Sequence, residues 1–230
     1  IEEAWDTQVG ILGWPEPVPD ADGILDIYVA TTGSSGGAYA YGPYVDHDPG
    51  DGRLSSSAYI AIDPGYDTWI RWTMLHEFNH VLQFATDIAE GRYVPWEGAA
   101  TAVEYWSDNT LDPLPEYVSD FQKTPFAGLL GDGWWLWDEY ELWSYYEYGS
   151  SVWFRYLDAV YGDGAGSAAL ELWTHGIQES WENEPDFIDA SGMVGGSDWA
   201  GMWMDFSLER TYIGTEHTPG WAAAWSAPEF

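Results

Sequence analysis

The chain contains no cysteine, so its sequence offers no disulfide framework and no indication of the redox compartment. It also has no apolar run that approaches the length of a transmembrane helix, and we expect no insertion into a membrane. An initial methionine is missing as well, since the sequence begins at Ile1. Such a start is typical of a trimmed mature or recombinant segment, and we expect a secreted, extracellular protein.

Basic residues are scarce in this chain. Only 6 Lys and Arg stand against 39 Asp and Glu, which gives a formal net charge of −33. This charge repels nucleic acids and anionic membrane surfaces, so we exclude both as partners. The chain also repels itself in dilute buffer, and salt shortens the range of that repulsion. We therefore expect a halophilic monomer from a saline habitat. Bound cations such as calcium are the alternative explanation of the acidity.

Apolar residues are plentiful by contrast. They make up 46% of the chain, and aromatic residues alone make up 18%. This composition supplies an ample core and argues against disorder. The length of 230 residues suits one compact domain, or two small lobes around a cleft.

The most specific chemical signal lies at residues 76–80, which read His-Glu-Phe-Asn-His. On a helix, His76 and His80 lie one turn apart on the same face, where both can bind one zinc ion. Glu77 lies near that face and can act as a general base on a water activated by the metal. Apolar residues at three- and four-residue steps predict a helix here, and residues 66–90 contain no Pro or Gly. Two surface histidines on an ordinary helix are the alternative, but the chain has only five histidines.

A third ligand decides the type of site. The metzincin pattern requires Gly and His at the positions of Gln83 and Thr86, so that type is excluded. Downstream, the segment 95–106 predicts a second packed helix, with Pro95 in its first turn. Glu97 begins this helix and can complete a His, His, Glu set with one position open for water. The alternative is that Glu97 only favours the positive end of the helix.

These residues resemble the gluzincins, which include thermolysin and the large zinc aminopeptidases. In the aminopeptidases the third ligand stands in a Trp-x-x-Glu-Gly-Phe-Ala segment, with another Glu seven residues later. Residues 96–100, which read Trp-Glu-Gly-Ala-Ala, and Glu104 are similar. The resemblance implies Glu97 as the ligand and Glu104 as a carboxylate behind the ligands. Residues 22–212 are also similar to a group of secreted metalloproteases from myxobacteria and related bacteria.

Two stretches before the zinc helix read as strands, residues 24–30 and 59–63, because they are rich in branched and aromatic residues. The resemblance implies that the second strand borders the cleft and pairs with an extended substrate. Two acidic loops can hold calcium through oxygen ligands, although turn acids in solvent are the favoured interpretation of the first. The first loop contains Asp20, Asp22 and Asp26, and the second, within residues 31–57, contains Asp46, His47, Asp48 and Asp51.

The second half of the chain reads as mainly helical. Residues 108–123 are predicted to form a connecting segment. The aromatic residues of 133–143 are predicted to pack in the core or in the wall of the cleft, and a sugar-binding surface is the alternative. Residues 145–161 predict one helix, and 165–176 and 197–212 predict two more.

Residues 146–149 read Tyr-Glu-Tyr-Gly and resemble the Tyr-Glu-Lys-Gly of zinc aminopeptidases. In those enzymes the first Tyr donates a hydrogen bond to the tetrahedral intermediate, and the resemblance implies this role for Tyr146. Tyr148 and His175 are the alternative donors.

The fold class that we predict is α+β. A small mixed β-sheet and the zinc helices form an N-terminal lobe (1–108), and a mainly helical C-terminal lobe (109–230) completes one compact catalytic domain. The active site lies in the cleft between the lobes.

The predicted function is a zinc-dependent peptidase that acts on peptide or protein substrates. A non-catalytic acidic module that binds glycans or proteins and keeps a structural zinc is the alternative, and hydrolysis of a non-peptide bond is a third. The presence of Glu77 argues against the binding module, since a structural site does not need a general base.

Overall fold

The computed structural model describes residues 1–32, 37–43, 54–65, 69–88, 93–108, 115–125, 127–129, 145–176, 187–196 and 198–225. Within these residues the fold is α+β, as predicted: a small sheet and a short N-terminal segment precede a series of packed helices. The helices are α1 (Glu2–Ala4), a π-helix (Trp5–Val9), α2 (Ile70–Thr86), α3 (Tyr93–Ser107), α4 (Pro115–Lys123), α5 (Tyr146–Gly149), α6 (Ser151–Tyr161), α7 (Ser167–His175), α8 (Phe187–Gly195), α9 (Trp199–Arg210) and a 3-10 helix (Gly220–Trp225).

The sheet has three described strands, β1 (Ile27–Val29), β2 (Ala38–Tyr41) and β3 (Tyr59–Ile62), in the order β1-β3-β2. β1 pairs with β3 in parallel, and β2 pairs with β3 in antiparallel register. β3 is therefore the central strand, which explains why Ile60 and Ile62 are buried.

The central position of β3 corrects one expectation. Both of its edges are paired within the described sheet, so it cannot add an extended substrate as a further strand. The edges of the described sheet are β1 and β2, and β2 lies within residues 31–57, where the sequence analysis assigned no strand. Its sequence alternates Ala and Tyr and has little strand signal of its own, so pairing with β3 supplies the stabilisation.

Helices α2 and α3 form the centre of the molecule and pack against each other. From Leu75 to Thr86, every residue of α2 is buried, because the helix is covered by the sheet, by α3 and by the N-terminal segment. The N-terminal contact is polar as well as apolar: Gln8 donates a hydrogen bond of 2.8 Å to the Leu75 carbonyl, and Asn79 donates one to Gln8. At the exposed side of α2, Arg71 forms ion pairs with Glu3 and with Asp108.

The helical half differs from its prediction in three places. The segment predicted as a connection contains α4, and α8 was not predicted at all. The helix predicted over 145–161 is two helices, because the chain turns at Ser150. The Ser150 hydroxyl donates hydrogen bonds of 3.0 Å to the Val94 carbonyl and 2.6 Å to the Glu147 carbonyl, which holds this corner against the start of α3.

Two glycines allow α5 to lie close to its neighbours. A Cβ atom at Gly98 would collide with the Ser150 hydroxyl, and one at Gly149 would collide with the Tyr117 carbonyl. α5 is therefore held between α3 and α4 at short distance. The predicted division into 1–108 and 109–230 falls just after α3, and side chains from both parts share one buried cluster.

Candidate metal centre

His76 and His80 lie one turn apart on α2, and Glu97 reaches them from the first turns of α3. The Nε2 atoms of the two histidines are 3.0 Å apart. The Glu97 Oε2 atom lies 2.9 Å from Nε2 of His76 and 3.5 Å from Nε2 of His80. All three side chains are at most 12% exposed. The structure thus brings together the three residues that the sequence predicted as metal ligands.

The donor set fits a metal ion. One ligand atom from each residue lies within 4.8 Å of the others. Among the described residues, this is the one group of three or more His, Cys, Asp or Glu side chains whose ligand atoms lie so close together. A tetrahedral ion with ligands at 2.0–2.1 Å requires donor atoms about 3.3 Å apart. The observed separations of 2.9, 3.0 and 3.5 Å bracket that value. His76, His80 and Glu97 can therefore hold a metal ion.

The second nitrogen of each histidine is also engaged. His76 Nδ1 lies 2.5 Å from Glu104 Oε1, and His80 Nδ1 lies 2.6 Å from Gln83 Oε1. Gln83 in turn donates a hydrogen bond of 3.1 Å to the Trp96 carbonyl, which fixes its amide oxygen toward His80. An amide oxygen only accepts, so His80 must carry its proton on Nδ1. When the rings are neutral, the lone pair of each Nε2 therefore faces the ligand group.

The charges at the site favour a bound cation. Burial lowers the pKa of His76, but the hydrogen bonds to Glu104 and Glu97 outweigh this effect and raise it. Burial raises the pKa of Glu97, yet the charge of His80 and the hydrogen bonds from both histidines lower it overall, so this ligand is ionised. Burial raises the pKa of Glu104, and its hydrogen bond to His76 opposes that shift only in part. A positive charge beside these buried carboxylates would stabilise their ionised form, and either a proton or a metal ion can supply it.

Glu77 lies beside the ligands on α2 and is 7% exposed. Burial raises the pKa of its carboxyl, while the charges of His80 and His76 lower it in part. The backbone N–H of Ala40 also lowers the pKa of this carboxyl slightly. The strand β2 therefore lies beside Glu77, an arrangement that the sequence analysis missed because it assigned no strand to this stretch.

The tyrosines of α5 point in different directions. The structure does not bring Tyr146 to the ligands: this side chain is fully buried, stacks on Phe121, and donates a hydrogen bond of 2.7 Å to the Ala127 carbonyl. The ring of Tyr148, in contrast, lies 5.8 Å from that of His76. His175 is exposed in the last turn of α7. Of the three predicted donors, Tyr148 is the one that contacts a ligand residue.

Gln83 is a site residue that the sequence analysis did not identify. It was used only to exclude the metzincin pattern. Its position three residues after His80, on the same face of α2, is the signal that could have revealed it.

The first acidic loop forms turns. Asp20 Oδ1 accepts hydrogen bonds from the backbone N–H groups of Asp22 and Gly23, and Asp26 accepts one from the Tyr28 hydroxyl. These are the contacts of turn acids, which was the favoured interpretation. The second acidic loop and the aromatic run 133–143 lie outside the described residues.

Comparison with known proteins shows no matching family model, no similar curated protein and no similar solved structure. A search of the described helices for a membrane span finds none that is both long and apolar enough. Inferences about function therefore depend on the residues and their geometry.

Proposed function

We propose that the protein is a zinc-dependent peptidase. The observation that carries this proposal is the position of Glu77, a buried carboxylate beside a His, His, Glu group that can bind a metal ion and next to the edge strand β2. Nitrogen and carboxylate donors in an approximately tetrahedral arrangement with one position open suit a catalytic zinc ion. The resemblance to gluzincins supports the same choice of metal.

The chemistry is shared between the ion and the chain. Zinc, when bound, polarises a carbonyl oxygen and lowers the pKa of a coordinated water to about 7. Glu77 takes a proton from the attacking water and passes it to the leaving nitrogen, which completes hydrolysis of the bond. We assign to the Tyr148 hydroxyl the hydrogen bond to the oxygen on which negative charge develops, because its ring lies 5.8 Å from that of His76.

The edge strand favours a peptide as the substrate. The Ala40 N–H points away from β3, because Gly37 accepts from the Asp63 N–H and the alternating register then leaves Ala40 and Ile60 as a non-hydrogen-bonded pair. It points toward Glu77, whose pKa it lowers slightly. The outer edge of β2 therefore faces the ligand group. An extended peptide can add to such an edge through its backbone, which would place one of its carbonyl groups beside the metal. This arrangement favours a peptidase over a hydrolase of other bonds.

The test begins with the metal content of protein purified without chelators. We expect one zinc per chain in the wild type and none in His80→Ala. A peptide-library digest, with and without chelator, then reports the activity. Glu77→Gln should keep the zinc while turnover falls by about 10²–10⁴-fold, because the general base is lost. Tyr148→Phe should keep the zinc and lose about 10²–10³-fold in turnover.

Two outcomes would overturn the proposal. If the wild type neither carries zinc nor takes it up, the ligand assignment is wrong. If it holds zinc but cleaves no peptide in the library, the alternative of a binding module with a structural zinc gains support. A fully active Glu77→Gln would move the base elsewhere, with Glu104 the next candidate.

A further inference from the structure

A group of aromatic rings leads from the surface to the ligand histidine. Tyr148, whose ring is 5.8 Å from that of His76, stacks on Tyr117 with ring centroids 5.2 Å apart. Tyr145 completes the group, at 5.0 Å from Tyr117 and 6.2 Å from Tyr148. Tyr145 is 37% exposed, so the rings begin at solvent and end at the metal centre.

Acidic groups accompany these rings. The backbone N–H of Tyr145 donates a hydrogen bond of 3.0 Å to Asp120 Oδ2 on α4. Glu147, on α5 between the tyrosines, is half-buried. Burial, and to a smaller extent the charges of Glu97 and Asp120, raises its pKa to about 7. Glu147 therefore lies within electrostatic reach of both the ligand group and α4.

Glu147 has no positive partner in the described chain. The ion pairs of the described residues involve Arg71, His76, His80, Lys123 and His217, and none of them includes Glu147. A half-buried carboxylate without a counter-charge is costly, and a cation from outside would relieve that cost.

Ring faces and carboxylates together form the environment that binds ammonium and guanidinium groups. We propose that Tyr117, Asp120, Tyr145, Glu147 and Tyr148, the α4–α5 corner, bind a cationic group of the substrate next to the bond that is cleaved. That group is a lysine or arginine side chain, or the amino terminus of a peptide. The net charge of −33 attracts such substrates and repels acidic ones. The inference rests on the proposed function for the identity of the ligand as a peptide.

The decisive experiment measures binding in the absence of turnover. Zinc-loaded Glu77→Gln is titrated by calorimetry with three probes. N-acetyl-lysine amide presents a cationic side chain and no free amino terminus, leucine amide presents only the amino terminus, and N-acetyl-norleucine amide is the neutral control. We expect one of the cationic probes to bind about tenfold more tightly than the neutral probe. Which one does so identifies the source of the cation.

Variants then locate the site. Glu147→Gln and Tyr145→Leu, each added to Glu77→Gln, should reduce that preference by about three- to tenfold. The matched controls are Glu216→Gln, which makes the same change of net charge at an exposed position, and Tyr212→Leu, which removes a tyrosine that is 42% exposed at the end of α9. Both controls should leave the preference unchanged.

Equal binding of the neutral and cationic probes would refute the inference. So would an effect of Glu147→Gln no larger than that of Glu216→Gln. If the cation preference holds but no peptide is cleaved by the wild type, the proposed function fails and the cation site stands. If peptides are cleaved without a preference for basic residues or free amino termini, the peptidase stands and the cation site fails.

Discussion

Replacing Gln83 with methionine tests how far metal affinity depends on a residue that binds no metal. Gln83 is fully buried, accepts from His80 Nδ1 at 2.6 Å and donates to the Trp96 carbonyl at 3.1 Å. Methionine is close to glutamine in length and volume, so the variant removes both hydrogen bonds and leaves little cavity. The His80 ring then loses the contact that fixes its tautomer and orientation.

The magnitude follows from these two bonds. Loss of a partner behind a ligand histidine costs about 10–100-fold in metal affinity, or about 1.4–2.7 kcal/mol. The variant also leaves the buried His80 ring N–H without its acceptor, which costs about 1–3 kcal/mol of folding free energy. Gln83→Glu separates the two effects. It keeps an acceptor for His80 and removes the donor to Trp96, so metal affinity should recover while stability does not.

Zinc affinity is measured by competition with a chromophoric chelator, and stability by urea unfolding of the metal-free protein. The control is Thr86→Val, which removes a buried hydrogen bond of 2.7 Å to the Leu82 carbonyl one turn further along α2. It should lower stability and leave zinc affinity unchanged. Wild-type zinc affinity in Gln83→Met would refute the role that we assign to this amide.

Three further predictions concern other parts of the molecule. Tyr146→Phe should cost about 1–3 kcal/mol of stability, because the Ala127 carbonyl loses its donor, and it should leave turnover unchanged; a loss of turnover at full stability would restore Tyr146 as the oxyanion donor. Glu147 has a pKa of about 7 in the folded protein against an ordinary value of 4.5, owing to burial and then to the charges of Glu97 and Asp120. The folded state therefore holds this proton more tightly than the unfolded state, and ionisation of Glu147 destabilises the fold. Glu147→Gln should raise the melting temperature above about pH 7 and leave it unchanged below about pH 4.5, which melting curves at a series of pH values would measure. Finally, salt should raise the melting temperature of this chain of charge −33, and sodium and calcium at equal ionic strength should differ only if calcium binds specifically; no response to either would exclude self-repulsion as a cost to stability.

The ligands could be predicted from the sequence because local geometry fixes them. His76 and His80 must share a face once the segment is helical, and Glu97 follows at the start of the next helix. The partners behind them depend on tertiary packing. Gln83 engages His80 only because Trp96 holds its amide, and Ala40 reaches Glu77 only because β2 lies at that edge of the sheet.

The choice between Tyr146 and Tyr148 shows the same limit. The two residues are two positions apart and so lie on nearly opposite sides of α5. Which side meets α2 depends on the turn at Ser150, and a periodic apolar pattern through 145–161 hides that turn. The resemblance to aminopeptidases supplied a motif but not the orientation of the helix that bears it.

Glu97 and Gly98 are adjacent but serve different purposes. A Cβ atom at residue 98 would collide with the Ser150 hydroxyl. The first residue of the pair can bind a metal ion, and the second sets the distance of closest approach between two helices. An alanine at 98 would leave the three donor atoms in place and push α5 outward, carrying Tyr148 away from His76. Sequences that keep the glutamate but replace the glycine should therefore retain a metal site, while α5, which forms one side of the surrounding cleft, moves. In evolutionary terms, coordination and the shape of the surrounding cleft can change independently through adjacent codons.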